Sequence, residues 1–247
     1  MKAWVLLLSV SLLFSQQQVQ ADMLGLTVQA DVANVSLGGR GGDHLATQPL
    51  QFSDDHWKSL SIAFEHPLPL VPNVALRLQD GQWTGQTLLS APLKLNEQVY
   101  AAQSLVSNKF DIKTTELDLY YEIVDTSLLA LDLGASVMRY ENDLAVTMPN
   151  SQLQRASGFL PLLYGHVTVH VFGTDTKIFL HGLYGDYRNQ QWSQTKVGVA
   201  YDFVDLTALT VAVKVGWLDQ SMELVNQDKL DTDFQQKGAF VALEVDF

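Results

Sequence analysis

His166, Thr168 and His170 stand two residues apart, and Glu116, Asp118, Tyr120 and Glu122 repeat that spacing earlier in the chain. In an extended chain, residues two apart share a face. Each set is therefore a polar row on one side of a strand. Two histidines four residues apart on a strand are separated by roughly 13 Å, too far to share a metal. A zinc or copper site would need His181 from the next segment and a carboxylate as well. Hydrogen-bonded histidines are the expected state, and no metal ligands are assigned. The chain has no cysteine, which excludes thiol catalysis, a disulfide framework and a Cys-based zinc site.

Hydrolytic chemistry has one opening. Asp43-His44 and Asp54-Asp55-His56 put carboxylates and bases close together in one loop. A water-activating site would need a second acidic or Asp-His pair from another loop. The last loop offers Asp228, Asp231 and Asp233, but no histidine. No signature marks a serine for a Ser-His esterase. The run Gly38-Gly39-Arg40-Gly41-Gly42 lacks the Lys-Ser/Thr ending of a phosphate loop and reads as a loop tip. The expectation is a non-enzyme with no catalytic residue and no cofactor.

The elements that carry these residues share a period of two. Ten segments alternate, separated by turn signals. In the last, Ala239, Val241, Leu243, Val245 and Phe247 share one face; Gly238, Phe240, Ala242, Glu244 and Asp246 share the other. The first sets Leu24 to Val32 against Thr27, Gln29 and Asp31. Between them, the polar faces carry Glu65, Arg77 and Gln79, then Glu116, Asp118 and Glu122, then Asp132. His166 and His170, Lys196 and Asp202, Lys214, and finally Glu244 and Asp246 complete the set. Lys177 to Tyr187 is mixed on both faces, so its register is open.

A greasy face outside and a charged face inside is the pattern of an all-β transmembrane antiparallel up-and-down barrel. Ten strands fit best, with eight or twelve possible. Residues 1–21 read as a cleavable signal peptide: Lys2, an apolar run Ala3–Phe14, and Val19-Gln20-Ala21 before the cut. Residues 22–247 are then the barrel domain. About twelve apolar residues are too few for a helix to cross a membrane. The net charge of −12 argues against nucleic acid.

Turns are expected at His66–Asn73, Val124–Ser127, Gly173–Thr176 and Val204–Leu206. Longer loops are expected over Leu37–Asp55, Trp83–Lys109, Asp143–Gly158 and Gln220–Thr232, with a short one at Asn189–Gln191. Alternating lengths suit short periplasmic turns and long outer loops. Trp83, Tyr140, Tyr187, Trp192 and Trp217 fall at the outer strand ends. Tyr121, Phe172, Phe203 and Phe247 fall at the inner ends, as interface girdles would. Val241, Leu243, Val245 and Phe247 read as the C-terminal insertion signal.

Several stretches together resemble a family of small Gram-negative outer-membrane β-barrel proteins with no assigned activity. They are DMLGL (Asp22–Leu26), FEHPLPLVPNVAL (Phe64–Leu76), LYYEIVD (Leu119–Asp125) with LDLG (Leu131–Gly134), LPLLYG (Leu160–Gly165), KVGVAY (Lys196–Tyr201) and the closing strand. They span almost the whole chain after the leader, in the family's order. The chain departs in its second outer loop and in its final Val-Asp-Phe. The resemblance implies outer-membrane location and barrel fold, and brings no catalytic residues.

At about ten strands, side chains largely fill a barrel's interior. Glu65, Arg77, Glu116, Asp118, Glu122, Asp132, His166, His170, Lys196, Asp202, Lys214 and Glu244 are therefore expected to form a paired lumen network. That favours a structural or interaction role with a largely plugged lumen. The alternatives are a porin-like narrow channel for small polar solutes or cations, and an outer-rim hydrolase. Expected partners are outer-membrane lipid and lipopolysaccharide, with the barrel-assembly machinery and periplasmic chaperones during biogenesis. A monomer that binds no nucleic acid is expected.

Overall fold

The computed structural model describes residues 24–44, 46–53, 55–68, 70–206 and 208–247. The expected signal peptide lies outside the described residues. Thirteen strands form: β1 (Gly25–Asp43), β2 (Gln48–Gln51), β3 (Asp55–Glu65), β4 (Asn73–Leu88), β5 (Leu93–Leu95), β6 (Gln98–Tyr100) and β7 (Leu105–Asp125). They continue as β8 (Leu129–Met148), β9 (Gln152–His170), β10 (Thr176–Asp186), β11 (Gln190–Leu206), β12 (Leu209–Gln227) and β13 (Leu230–Asp246). With β2, β5 and β6 set aside, ten strands run in chain order round a closed antiparallel barrel, β13 returning to pair with β1.

Closure is long and unbroken, from Thr27 opposite Asp246 to Asp43 opposite Leu230. Leu26 and Phe247 extend it by exchanging backbone hydrogen bonds of 3.3 and 3.0 Å. The described part of the first segment thus seals against the last, and the ten barrel strands leave no edge of their own to template aggregation. The alternation sets the faces as expected. Leu60, Leu76, Leu117, Leu133, Val199, Val215 and Val241 are exposed on an outward apolar belt, while Glu116 and Asp118 are buried inside.

The strands overshoot that belt. β7 has 21 residues and β8 has 20, about twice the 9–11 a bilayer crossing requires. Beyond the belt the alternation keeps its phase while the polarity of its faces inverts. Even-numbered positions of β7 face inward throughout: Glu116 and Asp118 near the turns, then Ile112, Phe110 and Val106, all buried. The odd-numbered face runs from Leu119 and Leu117 to Lys113, Asp111 and Lys109. The barrel therefore has a turn end, greasy outside and polar inside, and a ribbon end with the reverse arrangement.

This inversion corrects several expectations. Most of the loop ranges at 37–55, 83–109, 143–158 and 220–232 are strand. Gly38–Gly42 lies in β1, where Gly39 and Gly42 take φ of 147° and 148° that other residues rarely adopt. A Cβ on Gly39 would meet Phe234 Cδ1 at 2.7 Å, and one on Gly42 would meet Leu93 Cδ1 at 2.9 Å. The glycines let the wall close on buried side chains. Trp83, Tyr140 and Trp192 are not girdle residues but point into the barrel, fully buried. Tyr187 and Trp217 do face outward, as do Tyr121, Phe172, Phe203 and Phe247. The expected turn Val204–Leu206 belongs to β11, which absorbs a bulge between Asp202 and Val204.

The second long loop supplies a cap. β5 and β6 pair as a small hairpin, burying Leu89, Leu93, Leu95 and Tyr100. Asn96 Nδ2 donates to Leu153 O at 2.7 Å and Tyr100 OH to Asn150 O at 2.6 Å. Burial pushes the Tyr100 phenol above its ordinary pKa, so it remains a donor.

Candidate functional site in the barrel lumen

Inward rows from neighbouring strands meet as ion pairs. Arg77 on β4 binds Glu116 on β7 at 2.6 Å, with Asp118 at 3.8 Å. Ser136 Oγ donates to Asp118 at 2.5 Å. Across the lumen, Lys196 on β11 pairs with Asp31 on β1 at 3.2 Å and lies 4.7 Å from the Trp57 ring centre. Asp31 also accepts from Gln29 at 2.8 Å and Ser59 at 3.2 Å. Lys214 pairs with Glu244 and donates to Gln29 Oε1 at 3.0 Å. Lys177 pairs with Asp202 at 2.7 Å. Every buried lumen cation thus has a carboxylate, as the cost of an unpaired buried charge demands.

Three of the remaining acids are held by neutral donors. Tyr120 OH donates to Glu65 at 2.8 Å, Asn73 Nδ2 to Glu122 at 3.1 Å, and Thr27 Oγ1 to Asp246 at 2.6 Å. Asp132 stands opposite Glu122 on β8. His166 Nε2 meets Thr168 Oγ1 at 3.0 Å, and its ring centre lies 5.8 Å from that of His181. His181 Nε2 lies 3.2 Å from Arg77 Nη1. No group of three or more His, Asp or Glu suited to a metal occurs among the described residues.

These side chains enclose a cavity of about 360 Å³. Its lining runs from Thr27, His170 and Asp246 at the turn end up to Arg77, His181 and Lys196. Above it the lumen is filled. Trp57, Trp83, Phe110, Tyr140, Trp192 and Phe234 are all fully buried. Phe110 and Phe234 are 4.5 Å apart between ring centres, and Trp83 stacks on Phe110 at 6.2 Å. Trp83 Nε1 donates to Val35 O at 3.2 Å, which satisfies its polar atom. The cap closes over this layer.

Of the sequence-predicted network, Glu65, Arg77, Asp132, His166, His170, Lys196, Lys214 and Glu244 line this space, whereas Glu116, Asp118, Glu122 and Asp202 do not, and the pairing is only partly legible in the sequence. Asp31 was visible on an inward face, yet not as the partner of Lys196. Lys177 and His181 lay on the segment whose register was open. β10 has apolar residues on both faces because Phe179 and Leu183 join the interior while Ile178 and Leu180 face out. The aromatic layer was missed altogether. Its signal was present as inward-phase aromatics beyond the belt, at positions read as loops and girdles.

At the rim, β1 and β13 bring His44 Nδ1 to within 2.9 Å of Asp231. Asn226 N donates to Asp231 Oδ1 at 2.5 Å. A pocket of about 270 Å³ beside them is lined by Asp43, Lys94, Glu97 and Lys229 among others, with Lys94 paired to Asp43 at 3.3 Å. Asp228 turns instead to Ser157 N, at 3.3 Å. Asp54 and the side chains of Asp55 and His56 lie outside what the structure describes.

No family model matches the chain, and no curated protein matches it. Solved structures do. The outer membrane protease OmpT from Escherichia coli superposes with a TM-score of 0.52 at 9% identity, over 94% of this chain and 99% of that chain. Neisserial surface protein A matches with a TM-score of 0.37 at 13% identity, over 92% and 100% of the two chains. Ail, the attachment invasion locus protein of Yersinia pestis, gives 0.37 at 8%, over 90% and 99%. These neighbours are Gram-negative outer-membrane β-barrel proteins. At such identities the likeness to OmpT is one of fold alone.

Proposed function

We propose that the chain is an outer-membrane barrel closed to solute flow, with a structural and surface-presenting role. The observation that carries this reading is the aromatic layer. Trp57, Trp83, Phe110, Trp192 and Phe234 fill the lumen above the ion pairs, and the Leu93–Tyr100 hairpin covers them. A hydrophobic constriction closes a pore by dewetting, and the polar space here ends at buried rings. The apolar belt supports location in a membrane, and the ribbon end, with charges outside, suits the aqueous side beyond the long strands. Short turns then face the periplasm. Lipopolysaccharide is the partner such an exposed charged collar would meet; Lys58 with Asp80 at 3.4 Å, Arg139 with Glu141 at 2.5 Å and Lys237 with Asp219 at 3.1 Å sit just past the belt.

The test is conductance. Purified protein refolded into planar bilayers is expected to give no discrete single-channel steps, and regular steps would overturn the closed reading. We read the His44–Asp231 pair as a clasp between the first and last barrel strands rather than as a general base. Its neighbours support this, since His44 N donates to Lys229 O at 3.2 Å in the same corner. If His44→Ala removed a measured hydrolase activity while leaving the barrel folded, the clasp would be the wrong reading.

A further inference from the structure

We propose that Glu116 and Asp118 share a single proton, and that this proton latches the wall from which the aromatic layer projects. The inference goes beyond the closed-barrel reading and stands whether or not the barrel conducts.

The first observation concerns the four carboxyl oxygens. Both side chains are fully buried. Glu116 Oε1 accepts from Arg77 Nη1 at 2.6 Å, and Asp118 Oδ1 accepts from Ser136 Oγ at 2.5 Å. Glu116 Oε2 and Asp118 Oδ2 have no hydrogen-bond donor among the described residues, and both are closed to water. Arg77 Nη2 stands 3.8 Å from Asp118 Oδ2, too far for a hydrogen bond. Gln79 and Thr114, the next inward pair along β4 and β7, have donors that reach neither oxygen. Unmet buried acceptors are costly. The two carboxyl groups adjoin closely enough for a proton on one to bond the other. One proton satisfies both oxygens where no water can enter.

The second observation is the charge around the pair. Arg77 on β4, Lys196 on β11, Asp31 on β1, Tyr164 on β9 and His181 on β10 face it. Lys196 is committed to Asp31. His181 Nε2 must accept from Arg77 Nη1, because a guanidinium offers no acceptor, so that edge of the ring brings no proton. His166 touches the His181 ring, 5.8 Å between centres, and not the pair. Among the described residues, Arg77 is then the one cation left for two carboxyl groups. Carboxyls that share a site keep one proton between them, and an extra buried charge is costly. The shared proton leaves one negative charge for one guanidinium. Without it, surplus charge would lie on β4 and β7, the strands that carry Trp83 and Phe110 into the aromatic layer.

The test is infrared difference spectroscopy on the full barrel refolded in detergent at neutral pH. Subtracting Glu116→Gln from the wild type should isolate a carboxylic-acid C=O stretch, and so should subtracting Asp118→Asn. Either amide removes the need for the proton, because the remaining carboxylate alone matches Arg77. Loss of an ionised-carboxylate stretch in either subtraction would overturn the proposal. Both variants should fold, since an amide has the shape of a neutral acid and supplies the missing donor. Heat-modifiable migration checks this, and failure of both to fold would overturn the proposal as well. The latch is read by raising the pH until the acid band disappears. The near-ultraviolet circular dichroism of the packed tryptophans should be lost with the band in the wild type, and kept at that pH in Glu116→Gln. A signal that outlasts the band, or one lost equally in the variant, would sink the latch. A conducting barrel that keeps the band would sink only the closed lumen.

Discussion

Each lumen charge has its own partner, and the partner decides what a substitution does. Lys196 and Asp31 are almost wholly buried, with Asp31 also held by Gln29 and Ser59. Asp31→Ala would leave the ammonium uncompensated, and we expect a loss of about 3–5 kcal/mol. Adding Lys196→Met should restore most of it, because the orphaned charge goes too. Denaturant unfolding in detergent, followed by tryptophan fluorescence, measures both. If the double variant were as weak as the single one, the pair would matter through shape and not through charge. At this scale the sequence disclosed which residues point inward, since facing needs only the period of two. It did not disclose who pairs with whom. Asp31 and Lys196 are 165 positions apart, and only the curvature of a closed wall brings them together.

A strand here is a single object with two environments. On β12, Val213 and Val215 face the belt while Ala212 and Lys214 face the lumen. Val213→Arg is expected to destabilise the barrel in lipid by about 2–4 kcal/mol, whereas Ala212→Ser should be tolerated; refolding yield into liposomes separates them. Equal tolerance would mean the faces are inverted. Higher on β7, Phe110 packs between Trp83 and Phe234. Phe110→Ala should cost about 3–5 kcal/mol, the range for emptying an aromatic from a packed core. A near-neutral result would show the ribbon end to be loosely filled. Alternation alone made the belt halves of these strands legible. It did not reveal their extensions, because a search for outward apolar residues stops where the polarity inverts. Phe110, Ile112 and Val106 then look like loop residues although their phase never changes.

The molecule as a whole is a stack: charged outer ribbon, aromatic layer, paired ions, and a cavity at the turns. The cap adds a lid but is not the main seal. Replacing residues 89–104 by a short Gly-Ser link should leave planar bilayers silent, because Trp83, Phe110 and Phe234 remain beneath. Single-channel steps in that variant alone would make the hairpin the true gate. By itself the sequence determined the all-β class and an up-and-down barrel of alternating strands, with ten the best fit and eight or twelve left open. Each of these follows from local periodicity and from the need to satisfy every backbone group. Whether the lumen is open was decided only by tertiary structure. Filling depends on how far side chains from opposite walls reach across a curved sheet. Trp57, Phe110, Trp192 and Phe234 come from four different strands to meet there, and no local pattern records that meeting.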